Sequence, residues 1–194
     1  KSRFIEITKN DIERRALDDL SLEWFKGQGL KKDEIDENGN NYCIHYGELF
    51  TKYGPVIDEV VSKTSVVPNR VSSKGDILFP ASDVTPNGLA RCSEVEWGGV
   101  ILGGDIICLR PKAVVNPAFL SYAINAEKQQ LLQGVTGSVV KHMSPKWLKK
   151  VIVSIPHEKS VQDEFISFAK QVDKSKVGAP STILLINIYI NTEA

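Results

Sequence analysis

Residues 128–157 carry five lysines, at 128, 141, 146, 149 and 150, and two histidines, with no acid among them. An uncompensated run of ammonium groups suits one kind of chemistry, the neutralisation of phosphate oxygens. A plainer reading stands beside it, a helix or strand edge kept soluble by lysine. Other chemistry is hard to find. His45, His142 and His157 are far apart, and none neighbours a cysteine or a second histidine at zinc spacing. Cys43, Cys92 and Cys108 are odd in number and not at metal spacing. Residues 36–41 (DENGNN) resemble a calcium loop but lack its spaced aspartates and its bidentate glutamate. No Walker A loop, no nucleophile elbow, no zinc-protease motif and no dinucleotide fingerprint occurs. The expectation is a chain with no catalytic residues, no metal site and no cofactor of its own.

The elements that would hold such a basic stretch are short. The chain has 194 residues, enough for one domain and an appendage. Lys+Arg and Asp+Glu are 24 each, which excludes a uniformly basic nucleic-acid binder but not a basic face. The balance is uneven: residues 1–60 hold 9 basic and 13 acidic side chains, and residues 127–194 hold 9 and 6. No apolar run approaches the roughly 18 residues of a membrane span, and no secretory signal stands at the start. Three cysteines that cannot all pair favour a reduced, cytoplasmic setting. The chain does not begin with Met, so a start upstream is expected.

Strands are expected within 11–25, at 42–49, around 56–61 and 66–67, at 76–80, twice within 98–111, and at 151–155. Turns are expected at 26–30, 86–88 and 145–149, and a helix-like turn at 31–35. Pro117 opens a helix over 117–133, in which Phe119, Leu120, Ala123, Ile124 and Leu131 recur at a near-helical period. A last helix opens at a capping-box pattern from Ser160, with Val161, Phe165, Phe168 and Val172 spaced 4, 3, 4 as in a coiled-coil seam. Ordinary packing of that face on its own domain is the alternative. Residues 181–194 are apolar and almost uncharged, of no assigned role.

The strings CIHYGELFTKYG, KGDILFPASDVTPNGLAR, GVILGGDIICLRP, NPAFLSYAIN and GVTGSVVKHMSPKWLKKVIVSIP follow one another in this order. Together they resemble one target-recognition domain of the specificity subunit of type I restriction–modification enzymes, over about residues 12–176. The resemblance implies an α+β fold: a β-rich recognition domain with short helices, then a C-terminal helix of coiled-coil type. The corresponding division is 1–157 for the recognition domain, 158–176 for the spacer or dimerisation helix and 177–194 for the tail. It implies double-stranded DNA as ligand, one half of a bipartite target per domain. It implies methyltransferase subunits that use S-adenosylmethionine and a restriction subunit that uses ATP and magnesium, the chain itself being non-catalytic.

This chain departs from the family pattern. It has one recognition domain, its last helix is short, and Val161 stands before Gln162 where the family has Glu-Gln. A half-subunit that dimerises through Val161, Phe165, Phe168 and Val172, a truncated gene and a fragment all remain open; a symmetric dimer would read a gapped palindrome.

In that light the loop 136–142 is expected to position phosphate: Thr136 and Ser138 as donors, Gly137 for close approach, Lys141 and His142 for charge. Lys26, Gly27, Lys31 and Lys32 form a second such turn. Tyr46, Glu48, Lys52, Tyr53, Ser82, Asp83 and Arg91, at the ends of apolar strands, are the candidates to read bases, since arginine pairs with guanine and a carboxylate accepts from cytosine. For each of these alone, a turn or a salt bridge is the competing role. Two other functions compete: a stand-alone β-rich carbohydrate or peptide module, and a small metal-dependent nuclease.

Overall fold

A computed structural model of the chain describes residues 12–175. The order is β1 (Ile12–Ala16), α1 (Leu17–Leu20), β2 (Ser21–Lys26), β3 (Asn41–Ile44), α2 (Glu48–Thr51), β4 (Val56–Ile57), β5 (Lys63–Thr64), β6 (Asp76–Pro80), β7 (Ser82–Asp83), α3 (Pro86–Leu89), β8 (Ser93–Val95), β9 (Ile101–Leu102), β10 (Ile106–Pro111), α4 (Pro117–Ala126), α5 (Lys128–Gln133), β11 (Lys141–His142), α6 (Pro145–Leu148), β12 (Ile152–Pro156) and α7 (Lys159–Ser175). The apolar tail expected at 177–194 lies outside the described residues.

β6 and β10 are continuous apolar runs because both of their faces are covered. They lie side by side in a five-stranded sheet of order β2-β10-β6-β8-β4. Ile77, Phe79, Ile107 and Leu109 point to one side, into a core shared with the helices. Leu78, Ile106 and Cys108 point to the other, where Ile44, Leu49, Ile57 and Leu102 close over them. That second layer includes the sheet β5-β3-β9, in which β3 and β9 run parallel. β1 pairs with β12 apart from the main sheet. The architecture is α+β, as expected.

Several elements differ from their expected form. The strand expected near the end of 11–25 is β2, and the segment before it forms β1 and α1: Leu17 and Leu20 are buried from the short helix, and Leu22 is 70% exposed. The strand expected at 42–49 stops at Ile44, where the Glu48 carboxylate accepts from His45 N–H at 2.8 Å and the chain turns into α2. Residues 66–67 are not a strand; β5 lies just before them. The turns at 86–88 and 145–149 are short helices, capped by Thr85 and Ser144, whose hydroxyls accept from Gly88 N–H and Trp147 N–H. The helix over 117–133 is two helices that meet at Glu127. Gln130 turns α5 toward β12: its amide accepts from Ile152 N–H at 3.0 Å and donates to Ile152 C=O at 2.9 Å.

α7 begins at Lys159, one residue before the expected capping serine. Gln162 is 1% exposed and works as a brace, accepting from Asn116 N–H at 2.7 Å and donating to Pro156 C=O at 2.9 Å. Phe165, Ile166 and Ala169 are buried with it. Phe165 meets Phe119 and Tyr122 of α4 edge-on, at centroid distances of 5.5 and 6.2 Å. Of the expected seam, then, Phe165 packs on its own domain, Val161 is half-buried and Phe168 is 47% exposed. The side chain of Val172 is outside the described residues.

One buried acid makes stability depend on pH. Glu94, on β8, is 3% exposed and its Oε2 has no hydrogen-bond partner. It pairs across the sheet with Ile77, so it faces the helical side. Burial, and then the neighbouring Glu96 carboxylate, push its pKa up to about 7, against Lys170 and Lys74, which pull it down. An acid whose pKa rises on folding holds its proton where the unfolded chain has lost it. Its cost is absent at low pH, grows from about 4.5 and is complete above about 7, on the order of 3 kcal/mol. Glu94→Gln is therefore expected to raise the urea midpoint at pH 8 and to leave it nearly unchanged at pH 4.5. Equal gains at both pH values would show that ionisation of Glu94 is not the cause.

Candidate nucleic-acid interface

Four segments remote in sequence meet at one end of the five-stranded sheet. There β2 ends at Lys26, β10 begins at Ile106 and β6 ends at Pro80; Lys26 faces Ile107, and Ile106 faces Pro80. Gly27 N–H donates to Ile106 C=O at 3.0 Å, and Gln28 N–H to Leu102 C=O at 2.8 Å. Beyond Pro80, Ala81 N–H donates to Asp105 C=O at 2.7 Å, and the Ser82 hydroxyl to the Asp105 carboxylate at 2.9 Å. β7 then pairs antiparallel with β11, Asp83 opposite Lys141 and Ser82 opposite His142. Lys26, the turn 103–105, Ser82-Asp83 and Lys141-His142 thus form one hydrogen-bonded rim.

The expected phosphate loop is part of that rim. Thr136 and His142 exchange both backbone hydrogen bonds, at 2.8 and 3.0 Å, and close the loop 136–142. Gly137 has φ +100°, and a Cβ there would stand 2.2 Å from Val140 C=O, so this glycine serves the turn rather than a ligand. The Lys141 ammonium donates to the carbonyls of Gly137 and Ser138, at 2.8 and 2.7 Å. It pairs with no acid among the described residues, but it has loop carbonyls as partners and draws the loop over itself. Thr136, Ser138 and His142 are exposed.

At the second turn, Lys26, Lys31 and Lys32 are exposed and make no ion pair among the described residues. Gly27 is a backbone junction, because a Cβ would lie 2.1 Å from Gly103 C=O and 2.4 Å from Leu102 C=O. No side chain fits between β2 and the β9–β10 turn, so this glycine holds the rim together and is not free to approach a ligand.

The candidate base readers divide. Ser82 and Asp83 are on the rim, though Asp83 already accepts from Val84 N–H and the Thr85 hydroxyl, both at 2.7 Å. Tyr46 is half-buried between His45 and Phe50. Glu48, Lys52, Tyr53 and Arg91 have internal work. Glu48 is 5% exposed and accepts from Lys52 at 2.7 Å and from the Ser62 hydroxyl at 2.5 Å. The Tyr53 hydroxyl accepts from Val61 N–H, and burial pushes its pKa up to about 12. Arg91 is half-buried and donates to the carbonyls of Phe50 and Tyr53, at 3.4 and 3.3 Å. It ties down the end of α2, and its Nε is buried without a partner.

Sequence reasoning missed His45 as part of this end. Gly103 packs against its backbone, and Gly103 N–H donates to Ile44 C=O at 2.9 Å. Its Nδ1 accepts from Gly47 N–H at 3.3 Å, which places the proton of the neutral ring on Nε2. Burial lowers its pKa, so the ring is neutral near pH 7. The only signal in the sequence was its place at the end of an apolar strand.

Among the described residues no three His, Cys, Asp or Glu side chains come together as a metal site. No described helix is long and apolar enough to cross a membrane. The three thiols are buried and unpaired; burial pushes Cys43 to about 11 and Cys92 to about 12, which suppresses thiolate chemistry.

Residues 9–183 match the family model described as the type I restriction modification DNA specificity domain. The chain belongs to that family. Solved structures agree in fold. The S subunit of a type I restriction–modification system from M. genitalium superposes with a TM-score of 0.64 at 14% identity, over 88% of this chain and 41% of that one. A chain from a study of complex assembly and conformational transition of the type I system gives 0.63 at 15% identity, over 88% and 40%. The HsdS subunit from Thermoanaerobacter tengcongensis gives 0.60 at 14% identity, over 95% and 45%. This specificity domain therefore spans less than half the length of the solved subunits it resembles. No curated protein matches. Membership in the specificity-domain family leaves the carbohydrate or peptide module and the small nuclease without support.

Proposed function

We propose that this domain reads one half of a bipartite duplex DNA target and confers that specificity on methyltransferase and restriction subunits. In this reading it performs no chemistry itself; those partners supply S-adenosylmethionine, ATP and magnesium. The observation that carries the reading is the rim. Lys26, Lys141 and His142, candidates to touch phosphate, are on one hydrogen-bonded edge with the half-buried Asp83, the candidate base reader left at that edge, while Ser82 beside it is buried and donates to Asp105. Lys31 and Lys32, exposed on the turn that follows β2, add cationic charge beside it.

Lys141→Ala is expected to weaken binding to specific and random duplex alike. It should reduce the slope of log K against log salt by about 0.9, the share of one phosphate contact on B-DNA. Lys170→Ala is the control, because that ammonium is paired with Glu96 at 2.7 Å on α7. Salt titrations from about 50 to 200 mM that give both variants the same slope would remove the loop from the interface. Selection from a random duplex library, with the chain alone and with methyltransferase subunits, tests the reading as a whole: no enriched sequence in either case would overturn it.

A further inference from the structure

The ribbon made by β7 and β11 ends in valines that nothing among the described residues covers. Val84 is 71% exposed, Val139 80% and Val140 45%. Their placement follows from the register. Asp83 faces Lys141, so the next facing positions outward are Val84 and Val140, just past the last paired residues. Val139 stands at the tip, where Gly137 turns the chain and the Lys141 ammonium gathers the carbonyls of Gly137 and Ser138 beneath it. Single exposed valines are ordinary; three on one ribbon end, on an otherwise polar rim, are not.

We infer that this valine tip is a specificity element that enters the major groove and packs on thymine C5-methyl groups. The inference rests on the DNA reading above and deepens it. Three features favour DNA over a protein partner. A two-stranded ribbon has the width the major groove admits. The C5-methyl of thymine is the one apolar group that groove presents, and contact with it distinguishes thymine from the other bases. The valines also stand beside Lys141 and His142, in a stretch with no acid from 128 to 157; the acid across the ribbon, Asp83, has its two carboxylate oxygens engaged by Val84 N–H and the Thr85 hydroxyl, so the cations are the charges left to meet a polyanion.

The test uses the full chain and the duplex enriched from a random library. Each thymine in the enriched site is replaced in turn by deoxyuridine, which removes one methyl group and leaves every hydrogen-bonding group in place. At one or two positions the substitution should weaken binding about fourfold, the value for one buried methyl group. Val139→Ser/Val140→Ser, and separately Val84→Ser, should bind thymine and deoxyuridine duplexes equally at those positions. Their thermal midpoints should be unchanged, since the side chains are exposed. A flat deoxyuridine scan, an enriched site with no thymine, or valine variants that keep the full methyl effect would overturn the inference while the DNA reading stands. Variants that keep base discrimination but no longer co-purify with methyltransferase subunits would assign the tip to a protein contact instead, and overturn it as well. No enriched sequence at all would overturn the DNA reading, and this inference with it.

Discussion

Replacing Arg110 by methionine is expected to cost the domain about 3 kcal/mol, seen as a lower urea midpoint at neutral pH. Asp76, at the start of β6, is 1% exposed. Arg110 of β10 meets it with two parallel bonds, Nε to Oδ1 and Nη2 to Oδ2, each 2.9 Å. The third nitrogen reaches Glu23 of β2 at 3.1 Å, directly across the sheet, and Glu23 also pairs with Arg70. Arg110 and Arg70 both lie over the ring of Phe25. The guanidinium thus joins β6, β10 and β2, and the Asp76 carboxylate raises its pKa further. Methionine would fill much of the volume but leave a buried carboxylate with only Ser73 N–H, at 2.8 Å, and the Cys108 thiol of its present partners. The penalty is that of an unpaired buried charge, so removing the charge should relieve it. Asp76→Asn/Arg110→Met is expected to recover a large part of the loss, and a double variant as unstable as the sum of the two single ones would show that the pair is not coupled.

Phe165→Ala is expected to cost about 3–5 kcal/mol, the range for a large aromatic side chain removed from a core. Phe165 is 2% exposed and is enclosed by Phe119, Tyr122 and the residues around them. The loss should appear in thermal and urea unfolding, with α7 and α4 melting together, at unchanged mass by light scattering. Phe168→Asp, at a position 47% exposed, should leave stability nearly as it was. The two variants together separate the roles of this helix. If Phe165→Ala instead lowers the mass and leaves unfolding unchanged, the stripe belongs to an intermolecular seam. If Phe168→Asp lowers the mass, a homodimer uses the exposed side of α7 while the buried side holds the domain.

Much of the fold was legible because it rests on local patterns. β6 and β10 read as buried strands from their continuous apolar runs, and Asn116-Pro117 marked the start of α4, where Asn116 accepts from Phe119 N–H at 3.0 Å. The errors arose where a distant partner overrode the local pattern. Residues 42–49 alternate well enough for one strand, but the Glu48 carboxylate closes a turn on His45 and is then satisfied by Lys52 and by Ser62 from another segment. The near-helical period over 117–133 continues through Glu127, yet Gln130 and Trp147 hold α5 as a separate helix against β12 and α6.

The candidate site divides along the same line. By itself the sequence determined which groups were available: an acid-free lysine stretch, loops with donors, no motif for a metal or a nucleophile, and the ordered strings of one family. Those are properties of composition and order, and folding does not change them. The tertiary structure alone decided which polar groups remain free to meet a ligand. Arg91 and Glu48 look like base readers in one dimension and are consumed in three, because a buried guanidinium or carboxylate must find partners inside the domain. Ser82 and Asp83 stand far from Lys141 and His142 along the chain and are strand partners in the fold. Gly27 and Gly137 look like invitations to a ligand, but the backbone already occupies the space beside them. The availability of a polar side chain is the remainder after every internal partner has been counted, and most of those partners come from segments that sequence order keeps apart.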